Sequence, residues 1–102
     1  MSDYNGYRNY ETWLVALHLD REYGTRKYWE ARAEQLIQEY KGNKLEAKFD
    51  LANEMETMFD NENPFYIEME NAVEYYGVYV DLMHAALARV NWTEVAEVFI
   101  ER

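Results

Sequence analysis

Two histidines, twenty carboxylates and a single serine are the groups in this 102-residue chain from which general acid-base, metal or nucleophilic chemistry could be built. His18 and Glu22 stand one helical turn apart and could share a proton, but an ordinary exposed i,i+4 helix pair is the expectation. Asp81 and His84, three apart, resemble one half of the Glu-x-x-His pattern that carboxylate-bridged di-metal bundles use on each of two helices. The second half is missing, because Val15 stands three residues before His18. Ser2 lies near the first residue, where a positioned nucleophile is not expected. Cysteine is absent, which excludes disulfides, thiolate metal sites and thiol nucleophiles, and no glycine-rich phosphate loop occurs. The expectation is a protein that is not an enzyme and has no catalytic residue, no metal and no cofactor.

The carboxylates are informative as an electrostatic pattern instead. Twenty acids against ten bases give a net charge of -10, which argues against direct binding to nucleic acid phosphates or an anionic membrane. Residues 1 to 48 hold eight acids and eight bases, whereas residues 49 to 102 hold twelve acids and two bases. The 40 residues between Lys48 and Arg89 contain no Lys or Arg, yet Asp50, Glu54, Glu56, Asp60, Glu62, Glu68, Glu70, Glu74 and Asp81 lie there. Helical spacing puts like charges at i,i+4 in three pairs, Asp50 with Glu54, Glu56 with Asp60 and Glu70 with Glu74, each opposing folding by a few tenths of a kcal/mol. Three readings remain open: a solvated face that keeps a small protein soluble, a row of carboxylates matching a groove that is lined by Lys and Arg, or an ordinary homo-oligomer or intramolecular pairing, for which Arg21, Arg26, Lys27 and Arg32 of the first half could serve.

Positioning these groups requires helices. With 49% hydrophobic and 17% aromatic residues, the chain can build a core, and its length fits one domain over 1–102. Asn9 caps a first helix in which Tyr10, Trp13, Leu14 and Leu17 share a face. Gly24 stops it and Thr25 caps a second, with Trp29, Ala33, Leu36, Ile37 and Tyr40 inward up to Gly42. Asn43 caps a third, with a stripe of Leu45, Phe49, Ala52, Met55 and Phe59, ended by Asn61-Glu62-Asn63-Pro64. Met69, Val73, Tyr76, Val80, Met83, Leu87 and Val90 alternate spacings of four and three and predict a long central helix near residues 65–90. Gly77 inside it marks a close crossing or a kink. Asn91 and Glu94 open a last helix with Trp92, Val95, Ala96 and Phe99 inward. The predicted fold is all-α, a compact bundle of about five helices.

Ten tyrosines are present, and Tyr75 and Tyr79 lie one turn apart beside the acids, off the inner stripe. They either cover core edges or anchor an interface. No run of apolar residues approaches the roughly 18 needed to span a membrane, and the opening residues lack an export signal, so a cytoplasmic location is expected.

The segment Asn9-Tyr10-Glu11-Thr12-Trp13, continuing through Leu14-Val15 to Leu19-Asp20, resembles the opening of small uncharacterised proteins encoded by bacteriophages and other mobile elements. Val90-Asn91-Trp92 with Glu94 and Ala96 resembles the matching end. The resemblance implies a phage-type origin, the cytoplasm of a bacterial host and a small helical fold, with no activity to carry over. Together with the stretch free of Lys and Arg, it leads to the expectation of a non-enzymatic acidic inhibitor. Its partner would be a basic host protein, a nucleic-acid-binding defence enzyme met by anti-restriction or anti-CRISPR mimicry of nucleic acid. The alternative is a structural or regulatory protein that self-associates, as a homodimer through Tyr75 and Tyr79, and whose acids serve solubility alone.

Overall fold

The computed structural model describes residues 4–61 and 76–102. These residues form five helices, and among them there is no β-strand: α1 (Tyr10–Arg21), α2 (Tyr23–Glu39), α3 (Lys44–Asn61), α4 (Tyr76–Ala88) and α5 (Trp92–Ile100). The all-α class expected from the hydrophobic spacing is the one observed. The three asparagine caps form as the local chemistry dictates. Asn9 Oδ1 accepts from the Thr12 amide at 2.9 Å, Asn43 Oδ1 from Glu46 at 3.2 Å and Asn91 Oδ1 from Glu94 at 3.2 Å.

The break between α1 and α2 lies two residues earlier than expected. Glu22 takes an extended conformation with ψ 124° and Gly24 falls in the first turn of α2, so Gly24 is not a stop and Thr25 is not a cap. The first four amides of a helix lack intrahelical acceptors in any case, so a glycine there disturbs little. At the other end, α2 closes in a Schellman motif: Gly42 N–H donates to Ile37 O at 2.8 Å and Lys41 N–H to Gln38 O at 3.0 Å. Lys41, with φ 55°, occupies the left-handed position.

The shortest helix is the centre of packing. All of Trp92, Val95, Ala96, Phe99 and Ile100 on α5 are buried, and α5 packs chiefly on α3 and also on α1 and α2. On α2, Trp29, Ala33 and Leu36 are buried as the periodicity predicts. Two other stripes depart from expectation. α1 buries Thr12, Ala16 and Leu19, while Tyr10 is 48% exposed and Trp13, Leu14 and Leu17 are half-buried. α3 buries Ala52 and Met55 as expected and packs Phe59 against the core, but at its start Ala47 and Leu51 are buried in place of Leu45 and Phe49, which are more than half exposed. The unexpected buried positions include Thr12 and Ala16 on α1 and Ala47 on α3, small side chains that let neighbouring helix axes approach closely.

The segment predicted as one long central helix is described only from Tyr76 onward; Pro64, Met69 and Val73 lie outside the described residues. Among the described helices α3, with 18 residues, is the longest. Val80, Met83 and Leu87 on α4 are half-buried, and the stripe becomes fully buried only at Val90. Among the described residues no close crossing occurs at Gly77, where an added Cβ would meet no atom within 4 Å. No helix among the described residues is long and apolar enough to cross a membrane.

Candidate functional site

The two sequence motifs, about 80 positions apart in the chain, meet in one hydrogen-bonded clasp. Thr12, fully buried, donates its hydroxyl to Asn9 Oδ1 at 2.6 Å and accepts from the Asn91 amide at 2.8 Å. Asn9 Nδ2 donates to Arg89 O at 2.7 Å. Glu94 turns away from its own cap and accepts from the Arg8 amide at 2.9 Å, so the reciprocal half of the expected capping box is replaced by a tertiary bond. Arg89 Nε reaches Glu11 Oε1 at 3.2 Å. The Glu11 carboxyl is held below its ordinary pKa, first by its own backbone amide at the helix start and then by Arg89. Asn9, Glu11, Thr12, Asn91 and Glu94 therefore lock the starts of α1 and α5 together.

Trp92 is buried beside Phe59, with ring centroids 5.1 Å apart. Trp13, expected on the apolar face of α1, is half-buried and packs near the surface with Tyr4 and Tyr10, ring centroids 5.1 and 5.8 Å away. Tyr4 is held there by a tight turn in which Asn5 and Gly6 take φ 46° and 92°, and Tyr4 and Tyr7 exchange backbone hydrogen bonds of 2.9 and 2.7 Å. The Asn-Gly pair is the turn signal in the sequence that could have placed this aromatic group. Burial, with the Asp20 and Glu94 charges behind it, raises the Tyr7 phenol.

The acids of the second half divide. Asp50 and Glu54 face α2: Asp50 accepts from the Tyr40 hydroxyl at 2.7 Å, and Glu54 takes a two-pronged pair of bonds from Arg32 at 2.8 and 2.7 Å. A neutralising partner for Glu54 thus comes from the first half of the chain. The hydrogen bond to Asp50 raises the Tyr40 phenol, and that to Glu54 raises the Arg32 guanidinium. Glu56 and Asp60 lie on another side of α3, both exposed, where they line a cavity of about 430 Å³ with His84, Leu87, Ala88 and Trp92. His18 does not line that cavity. Asp81 and Tyr79 are exposed on α4. Glu62, Glu68, Glu70, Glu74 and Tyr75 lie outside the described residues.

Ion pairing sharpens the asymmetry. Both bases of the acidic half turn back to first-half acids, Arg89 to Glu11 and Arg102 to Asp20 and, at 2.8 Å, to Glu30. Burial opposes the Arg102 charge, but its bonds to Asp20 and Glu30 outweigh that and raise its pKa. Lys48 crosses the other way to Glu97 at 3.4 Å. Glu56, Asp60 and Asp81 form no salt bridge among the described residues.

A larger cavity, about 630 Å³, opens between α2 and α3, lined by Thr25, Tyr28, Trp29, Asp50, Asn53, Glu54, Thr57, Met58 and Asn61. Trp29 is 1% exposed, and its buried indole N–H has no acceptor among the described residues. An unsatisfied buried donor costs about 1–3 kcal/mol, which makes this wall unusual within the core. No group of three or more His, Asp or Glu is arranged to hold a metal ion among the described residues.

A family of unknown function, DUF7249, matches residues 1–101. The chain belongs to that family. The match includes both halves of the clasp, so the DUF7249 chain is recognised over its helical core as well as its acidic stretch. No curated protein and no solved structure matches it.

Proposed function

We propose that this protein is a non-enzymatic acidic inhibitor of phage or mobile-element origin that acts in the cytoplasm of a bacterial host. It binds the basic nucleic-acid-binding surface of a defence enzyme of the restriction or CRISPR type. The observation that carries the reading is a set of second-half acids without a described cation: the two bases of that half are committed to first-half acids, while Glu56, Asp60 and Asp81 are exposed and form no salt bridge among the described residues. A surface of unpaired carboxylates on a rigid helix attracts Lys- and Arg-lined grooves and speeds encounter with them.

The test is inhibition of a panel of restriction and CRISPR nucleases, measured across a salt series and against competing DNA. Inhibition that DNA relieves, and that fades as the Debye length shrinks to about 3 Å near 1 M salt, supports the reading. Inhibition of no enzyme in the panel, or inhibition indifferent to both salt and DNA, overturns it.

Self-association is the second reading, and α4 favours it. Its 13 residues include only Asp81 and His84 as charged or histidine side chains, yet Val78 and Leu82 are more than half exposed and Tyr79 is 47% exposed. An apolar helix left uncovered calls for a partner surface. A homodimer in sedimentation, abolished by Leu82→Glu with the helical signal retained, would establish it; a monomer at all concentrations would remove it.

A further inference from the structure

A further cavity, of about 680 Å³, opens where the segment before α1 meets the link between α4 and α5. Its charged residues, among the described ones that line it, are Arg8 and Arg89, and no carboxylate is among them, in a chain of net charge -10. The clasp fixes the backbone of both cations: the Arg8 amide donates to Glu94 at 2.9 Å, and the Arg89 carbonyl accepts from Asn9 Nδ2 at 2.7 Å. Arg8 is exposed, and its guanidinium forms no salt bridge among the described residues. Arg89 meets Glu11 at Nε, but its side chain is 62% exposed, and one carboxylate engages at most two of the five N–H donors of a guanidinium.

Tyr4 and Tyr10 line the same cavity and are 37% and 48% exposed. Their rings stand edge to face at 5.2 Å, and Trp13 packs against both. Aromatic rings held by a third ring beside two backbone-anchored guanidiniums form a pre-organised surface for a ligand that is planar at one end and anionic at the other. The volume lies within the ordinary range for small-molecule sites. We propose that this cavity binds a mononucleotide. Arg8 and Arg89 donate charge-assisted hydrogen bonds to the phosphate oxygens, and the base stacks on the exposed Tyr10 ring. One phosphate meets only this local pair of cations, whereas a nucleic acid strand brings a row of phosphates across a protein of net charge -10 and is repelled. None of Glu56, Asp60 and Asp81 lines the cavity, so the site does not depend on the acidic-inhibitor reading.

The experiment titrates the ¹⁵N-labelled protein with adenosine 5′-monophosphate and follows its backbone amides and indole N–H signals, with adenosine, inorganic phosphate and an adenine pentanucleotide in parallel. The expected result is a saturable shift at Arg8, Asn9, Arg89 and Asn91 and at the Trp13 indole. Adenosine and phosphate should each bind about tenfold more weakly, lacking the ionic contacts or the stacked base respectively. Arg8→Gln should lower the affinity for the monophosphate about tenfold, as for loss of a hydrogen bond to a charged group. That variant keeps the backbone amide that Glu94 accepts from, and an unchanged unfolding midpoint confirms that the clasp is intact. No saturable shift, or a saturable shift that Arg8→Gln leaves unaltered, overturns the site. Phosphate binding as tightly as the monophosphate overturns the nucleotide assignment, and a pentanucleotide that binds more tightly overturns the selection of a small ligand.

Discussion

The Thr12 hydroxyl accepts a hydrogen bond from the Asn91 amide at 2.8 Å while donating to Asn9 Oδ1 at 2.6 Å, so one buried oxygen ties the cap of α1 to the cap of α5. Thr12→Val, which keeps the shape but removes the hydroxyl, strands the Asn91 amide and should cost about 1–3 kcal/mol in urea unfolding. Thr12→Ser should recover most of that loss. Equal midpoints for wild type and the Val variant would show that the clasp carries no stability.

The two motif tryptophans should respond differently to truncation. Trp92→Ala removes a buried ring at the packing centre and is expected to cost about 3–5 kcal/mol. Trp13→Ala removes a half-buried ring from a surface aromatic group, and about 1–2 kcal/mol is expected from lost area and ring contacts. Thermal unfolding that ranks the two in the opposite order would contradict the rotated face of α1.

Acids on α3 should separate by the side they occupy. Glu54→Gln weakens the two-pronged contact to Arg32, with both side chains about 30% exposed, and should cost about 1 kcal/mol, less at high salt. Glu56→Gln with Asp60→Asn relieves a like-charge i,i+4 pair, so stability should hold or rise by a few tenths of a kcal/mol. On the proposed function, only the second pair lowers inhibition without loss of fold.

Lys41 holds a left-handed φ of 55° at the close of α2. Lys41→Gly should stabilise the protein by up to about 1 kcal/mol, the side-chain penalty relieved exceeding the backbone entropy lost. An unchanged or lowered melting temperature would count against the Schellman geometry.

Alkaline pH should loosen the α2–α3 pair. The folded protein raises the Tyr40 phenol above its ordinary value of 10.0, chiefly through its hydrogen bond to Asp50. Its contribution is therefore complete below the unfolded-state pKa and is lost as pH rises through the higher folded value. At the acid end Glu11 is depressed from 4.5, so its contribution is present above that value and fades as pH falls through the folded pKa. Phenol absorbance should show one Tyr titration that returns toward the ordinary range in Asp50→Asn; an unmoved titration would rule out this pairing.

The sequence alone determined the features that depend on a few neighbouring residues. Asn9, Asn43 and Asn91 cap helices because a short acceptor side chain reaches exposed amides three residues on, whatever lies elsewhere in the fold. The inward face of α5 was equally legible, since Trp92, Val95, Ala96 and Phe99 leave no rival apolar stripe. Tertiary structure decided which stripe α1 and α3 bury. Helical periodicity allowed both Tyr10-Trp13-Leu17 and Thr12-Ala16-Leu19, and only the approach of neighbouring helices selected the stripe that includes the small Thr12 and Ala16. It also decided which acids are free, because Arg32 reaches Glu54 across 22 residues of sequence, a pairing no local spacing encodes. The clasp illustrates the same division: each cap is written locally, but the bond from Asn91 to Thr12 exists only because α1 and α5 are packed side by side.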